Sequence, residues 1–364
     1  MHFVTGGFSG ATQVAVDLCL AARNNGSMAA ILVLRRKRNT DAARVANLRA
    51  QGLQVFVVPG WSHVATIVAL RNLALQHRSD VLVAHGFSEH IWGRYAGLWA
   101  KVPYLVQVEH NSRERYTRWR LAQSRWLAHR SAALVGVSEG VRERLIEMGF
   151  PVELCLAIPN GIDLDRFPAA QLLPMAERLP AVVMASRFAR QKDHGTLIEA
   201  LALLAQRGLR PALYLAGGGK KSLLKQTQAR VRERGMESQV QFLGQVSDLP
   251  QRLMGTALFV LATHYEGMPL ALVEAMAAGC ACIASDVIGV RGVIEPGQTG
   301  ELVPEADPAA LAAAMERLLT NPAEAARLGQ AARQAAETRF SSQLMHSRYA
   351  QLLLGLPRLP KTGN

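Results

Sequence analysis

The sequence predicts an α/β protein made of two doubly wound, parallel-sheet domains, and three observations predict it. Short apolar runs alternate with longer amphipathic stretches along the chain, the signature of strand–helix–strand units. The alternation breaks near the middle and then starts again. The length, 364 residues, exceeds one ordinary core and suits two α/β domains.

Taken in order, the first-half strands are His2–Val4, Ala30–Leu34, Val55–Val58, Val81–Ala84, Leu105–Val108, Ala133–Val137 and Leu154–Ile158. Helical patterns lie between them, as at Gln13–Asn25 and Val141–Met148. The second half offers strands in "AVVMAS", "ALYLAG", "VQFLG", "LFVLA", "CIAS" and "GELV". Between the two series, "DLDRFPAAQLLPMAERLP" holds three prolines and no strand-like run, so it reads as a linker. The expected domains are residues 1–170 and 171–340, with a helix and tail over 341–364. The alanine-rich stretch Pro308–Thr338 is helical by propensity, broken by "TNP" at 320–322.

Composition narrows the class. Hydrophobic residues make up 49% and charged residues 19%, ordinary for a folded domain. No apolar run reaches the ~18–20 residues that span a bilayer, and "MHFVTGGFSG" lacks the marks of a signal peptide. The expected location is therefore the cytoplasm. Cys19, Cys155, Cys280 and Cys282 sit in apolar segments, and no second pair completes a zinc set. Buried thiols are expected. The net charge of +13 points to an anionic partner: nucleic acid, a phosphorylated small molecule or an acidic membrane surface.

Parallel sheets bind ligands outside the carboxyl ends of their strands, so the residues after each strand come next. "TGGFSGAT", residues 5–12, is a Gly-rich turn into a helix, which offers N–H groups and a positive dipole end to phosphate. Gly7 and Gly10 fit a dinucleotide pattern only in part. The second strand ends in "LRRKR" rather than an acid, which argues against NAD and leaves an NADP-linked oxidoreductase as an alternative. A basic nucleic-acid-binding protein would also explain the charge, but no helix-turn-helix, zinc or aromatic-sheet signature supports it. In "ASRFARQKDH", Arg187 follows a strand and Lys192 precedes a helix, a pair suited to a diphosphate. "LFVLATHYEGMPLALVEAMAAG" runs from strand to loop to helix, with Pro269 in the first turn and Gly279 as the stop. Glu266 falls in the loop. Glu274 falls in an apolar helix, where an unpaired carboxylate is costly and needs a partner.

These stretches, with "PNGID" before the linker, resemble glycosyltransferase family 4 in the right order over most of the chain. The resemblance implies a retaining enzyme of the GT-B type, with two Rossmann-like domains facing each other across a cleft. It implies a nucleotide-diphosphate sugar as donor and no metal or other cofactor. Position by position, it gives Arg187 and Lys192 the donor diphosphate, Glu274 the ribose and Glu266 the sugar hydroxyls. The turn Gly267, Met268, Pro269 and Leu270 would meet phosphate, Gly10 would let the first loop approach it, and His110 would lie near the sugar. His85 is an alternative to His110, because Glu109 shifts the usual spacing. Gly218 stands where the family often has an acid. The resemblance also brings the C-terminal helix back onto the first domain.

The acceptor side is read from residues 112–130, which hold six arginines and one acid. Arg115, Arg118, Arg125 and His129 line one helical stripe, beside Tyr116, Trp119 and Trp126. Basic and interfacial aromatic residues together suit an anionic bilayer. With family precedent, this points to a glycan or glycolipid acceptor, lipid-linked or of lipopolysaccharide type, at the inner face of the membrane.

Overall fold

The computed structural model of the chain describes residues 1–26, 28–113 and 116–356. Thirteen strands are found among them: β1 (His2–Thr5), β2 (Ile31–Arg35), β3 (Gln54–Val58), β4 (Val81–His85), β5 (Tyr104–Glu109), β6 (Ala133–Gly136), β7 (Cys155–Ala157), β8 (Leu179–Ala185), β9 (Leu213–Ala216), β10 (Val240–Gly244), β11 (Thr256–Leu261), β12 (Ala281–Ser285) and β13 (Glu301–Val303). The helices are α1 (Gly10–Asn25), α2 (Ala42–Ala50), α3 (His63–Gln76), α4 (Phe87–Trp99), α5 (Arg118–Ala128), α6 (Glu139–Glu147), α7 (His194–Gln206), α8 (Lys221–Glu233), α9 (Leu249–Met254), α10 (Leu270–Ala277), α11 (Pro308–Thr320), α12 (Pro322–Arg339) and α13 (Ser342–Gly355).

The strands form two parallel sheets, in the orders β3-β2-β1-β4-β5-β6-β7 and β10-β9-β8-β11-β12-β13. Helices cover both faces, so central strands such as β2, β6 and β12 are buried along their whole length. That is why they read as continuous apolar runs rather than as alternating ones. In each sheet the strand order reverses once, between β1 and β4 and between β8 and β11. Loops leaving those strand pairs diverge and make room for a ligand.

The chain divides into two compact units: Met1–Asn160 together with the segment from Gln343 onward, and Gly161–Ser342. The division thus precedes the proline-rich stretch instead of falling within it near residue 172. Ile162 pairs with Ser341, Phe167 is buried, and the Arg333 guanidinium donates to the Phe167 carbonyl at 3.1 Å. The "DLDRF" segment is therefore part of the second unit. Among the described residues, no helix is long and apolar enough to cross a membrane. All four cysteines are free and buried.

Candidate functional site

In the second unit the two loops at the order reversal follow β8 and β11. The first carries Arg187 and Lys192. Phe188 N–H donates to the Gly218 carbonyl at 2.7 Å, and Lys220 N–H donates to the Phe188 carbonyl at 2.9 Å. The glycine loop after β9 thereby clasps the base of the Arg187 turn. His194, stacked on Phe188 with centroids 4.4 Å apart, spans the turn, with Nε2 3.2 Å from Ser186 Oγ and Nδ1 3.1 Å from the Lys192 carbonyl. Burial lowers the His194 pKa to about 4, so this brace is neutral. Arg187 is exposed and makes no ion pair among the described residues.

Lys192 and Glu266 are brought together. The Lys192 ammonium is bonded to Glu266 Oε1, with both side chains largely buried. Thr263 Oγ1 donates to the same oxygen at 2.8 Å, and Thr263 is itself fixed by Ser285 Oγ on its N–H at 3.0 Å. Both of these contacts fall on Oε1, so the carboxylate is held in place through one oxygen. The backbone of Glu266 is set by Gly289: a Cβ there would overlap the Glu266 carbonyl. Beside Lys192 lies a cavity of about 220 Å³ bounded in part by Arg190, Arg230 and His264.

After Glu266 the chain passes Gly267 and Met268 to Pro269, the N-cap of α10. Pro269 has no N–H and makes no side-chain cap. Its role is to fix the entry angle. The Leu270 and Ala271 N–H groups have no intrahelical acceptor and point along the positive end of the helix. One turn on, Glu274 has the partner its apolar helix requires. Arg166 Nη1 donates to Glu274 Oε1 at 2.7 Å, so a protein cation, not only a ligand hydroxyl, meets that need. Burial raises the Glu274 pKa, opposed by the Arg166 charge.

In the first unit, Gly10 opens α1, and a Cβ on it would meet nothing within 4 Å. His110 lies half-buried just past the end of β5, in contact with His85. His85 Nδ1 lies 3.2 Å from His110 Nε2, and His85 Nε2 lies 3.0 Å from His2 Nδ1. The three imidazoles form one string. Burial lowers the pKa of His2 and of His110 to about 3, and holds His85 well below its usual value. All three are neutral at pH 7, so each contact needs one N–H and one lone pair, and the tautomers are linked.

The basic stripe differs from the expectation in part. Arg115 lies outside the described residues. Trp119 is 73% exposed, but Tyr116 turns inward, with its hydroxyl 2.8 Å from His90 Nε2 and 3.3 Å from Glu109 Oε2. Arg125 donates to the Met148 carbonyl at 2.7 Å, and Arg130 stacks 3.8 Å over Trp126. Sequence reasoning missed Thr263, Arg166, Gly289 and His2. Only Thr263, the residue two past the end of β11, carried a positional signal.

The second unit thus sets two strand-end loops side by side, with a fixed cation–carboxylate pair next to an uncapped helix start. Two family descriptions match the chain: "Glycosyltransferase Family 4" over residues 8–166 and "Glycosyl transferases group 1" over residues 170–335. A glycogen synthase of Mycobacterium tuberculosis is 31% identical over 296 residues, covering 80% of this chain and 67% of that one. An Escherichia coli UDP-Gal:alpha-D-GlcNAc-diphosphoundecaprenol alpha-1,3-galactosyltransferase is 25% identical over 255 residues, 65% of this chain and 66% of that one. Among solved structures, Anabaena Alr3699/HepE in complex with UDP-glucose superposes with a TM-score of 0.84 at 22% identity, covering 97% of this chain and 98% of that one. The chain belongs to glycosyltransferase family 4. It is a glycosyltransferase of GT-B fold, and the oxidoreductase and nucleic-acid readings fall away.

Proposed function

We propose that this enzyme takes a nucleotide-diphosphate sugar, retains the anomeric configuration and delivers the sugar to a lipid-linked or lipopolysaccharide-type glycan. The observation that carries the reading is the Lys192–Glu266 pair beside the start of α10. The hard event is departure of an anionic nucleotide from an oxocarbenium-like sugar, and fixed cations aimed at the diphosphate lower its barrier most. In this reading Arg187, exposed and unpaired, and Lys192, close by, hold the diphosphate, and the Met268–Leu270 turn adds main-chain donors. Glu266 accepts from the sugar hydroxyls through Oε2, and Glu274, steadied by Arg166, accepts from the ribose. Gly10 and His110 serve from the first unit, His110 as a neutral donor or acceptor to the sugar. Side-chain cations take the place of a divalent metal. The UDP-Gal donor and diphosphoundecaprenol-linked acceptor of the Escherichia coli relative, and the UDP-glucose bound in the Anabaena structure of the same fold, support the donor and acceptor classes. Trp119 and the arginines of α5 support a peripheral position on an anionic inner membrane face.

The test is initial-rate transfer across a panel of nucleotide sugars, with the product anomer read by NMR and with EDTA present. Glu274→Ala should weaken donor binding, and Glu266→Ala should lower turnover more than binding. An inverted product, or rates that vanish with EDTA, would overturn the retaining or metal-free parts. Equal affinity and rate in both variants would remove the assigned roles.

A further inference from the structure

The first unit carries a cavity of about 920 Å³ along the outer edge of β3, between α2 and α3. Its floor is apolar, formed by Val45 of α2, Phe56 and Val57 of β3, and Leu73 of α3. Its rim is cationic: the β2–α2 loop supplies Arg36, Lys37 and Arg38, and no acidic side chain lines the cavity.

The rim is built, not floppy. Lys37 N–H donates to Thr40 Oγ1 at 2.7 Å, Thr40 N–H returns to the Lys37 carbonyl at 3.1 Å, and Arg36 N–H donates to Val58 O at 2.9 Å. Gly60 packs so closely on the Arg36 carbonyl that a Cβ there would overlap it. The cations differ in what they have left to offer. Lys37 is paired with Glu89 at 3.1 Å. Arg49 donates to the Val55 carbonyl at 3.0 and 2.8 Å, which caps the open edge of the sheet against an added strand. Arg36 and Arg38 are exposed and have no acidic partner among the described residues. Next to them, Trp61 is 84% exposed and Val64 69%. A tryptophan and a valine held in water beside free guanidinium groups suit the headgroup boundary of a bilayer.

A bare phosphate would satisfy the two arginines but leave the apolar floor wet, and the volume is that of a ligand site of ~300–1,000 Å³. The occupant that uses both halves has an anionic phosphate head and an apolar chain. We propose that this cavity seats the head and upper chain of one anionic membrane lipid, with its phosphate on Arg36 and Arg38 and its chain on Val45, Phe56 and Leu73. This deepens the membrane side of the reading above and does not depend on the donor chemistry.

The test uses the full chain and three probes: vesicles of three parts phosphatidylcholine to one part phosphatidylglycerol, dihexanoylphosphatidylglycerol below its micelle concentration, and inorganic phosphate. Arg36→Gln/Arg38→Gln should lower affinity for the anionic vesicles about twenty-five-fold, and Arg38→Gln alone about fivefold. Ala69→Gln, which fills the apolar side, should abolish binding of the short-chain lipid while the vesicles are still attracted by charge. Inorganic phosphate should not compete with the short-chain lipid. The proposal is overturned if the double variant binds vesicles like the parent, if Ala69→Gln still binds the short-chain lipid, or if phosphate competes as well as the lipid does. Unchanged thermal unfolding and unchanged uridine diphosphate binding in each variant mark any loss as local. Failure of lipid binding with nucleotide binding intact separates this proposal from the glycosyl-transfer reading.

Discussion

The two units share one topology around their order reversals, β1 beside β4 and β8 beside β11, yet the polar side chains around those strands differ in charge. In the first unit a string of neutral imidazoles joins His2, the first residue of β1, to His85 at the end of β4 and His110 just past β5. In the second stand a bonded cation and carboxylate, Lys192 and Glu266. Neutral groups are cheap to bury and bind by shape and tautomer. A buried ion pair costs desolvation and keeps its place only if each partner stays.

The sharpest way to break this contrast is to remove one partner of the ion pair. Glu266→Ala leaves Lys192 as an unpaired, largely buried cation. Turnover should drop about 10²–10³-fold, with stability lowered by up to about 3–5 kcal/mol in urea unfolding. Glu266→Gln, which keeps an acceptor for Thr263, should fall between. Wild-type turnover in Glu266→Ala would show that the pair is structural only.

Next in size, Gly289→Ala pushes the Glu266 carbonyl out of place. Misplacement of a reacting-site loop by ~1 Å costs about 10²-fold in rate, so kcat should fall with little change in donor affinity. An unchanged kcat would mean that the loop relaxes around the methyl group. Arg166→Ala leaves Glu274 without its protein partner. Donor affinity should fall about tenfold, the value of one charge-assisted hydrogen bond, and isothermal titration should read it. If affinity holds, Glu274 is not oriented by Arg166.

A last contrast separates the units by pH, and it touches stability and not turnover. The folded-state pKa of His2 and His110, about 3, lies below the ordinary ~6.5 of an unfolded histidine. The unfolded chain then binds more protons between those values. Stability is full above pH 6.5 and falls as the pH drops toward 3. Each histidine should remove about 2 kcal/mol between pH 6.5 and 5. Hydrogen exchange at pH 5 should show β1 and β4 opening sooner than at pH 7, with β8 and β11 less affected. Equal response in the two sheets would remove the contrast.

The strands were legible because parallel sheets buried on both faces leave apolar runs that β-branched residues mark plainly. The positions of Arg187, Lys192, Glu266 and Glu274 after strands or on a helix were legible for the same reason. Their partners were not. Arg166 lies 108 residues from Glu274, and Lys192 lies 74 from Glu266, so only the folded sheet order brings them together. His2 looked like an ordinary strand residue because one-dimensional spacing carries no sign of a string of rings across β1, β4 and β5. The domain boundary moved because a proline-rich stretch looks like a linker whether or not Phe167 is buried.

One consequence of the chain's path concerns synthesis. Met345 and Tyr349 of α13 are buried and belong to the unit begun at residue 1. As the chain leaves the ribosome, the unit made first waits for a helix made after all of β8–β13, while the second unit already has everything it needs. The order of birth and the order of completion are thus reversed, and a nascent chain halted before α13 exposes the surface those two side chains would cover.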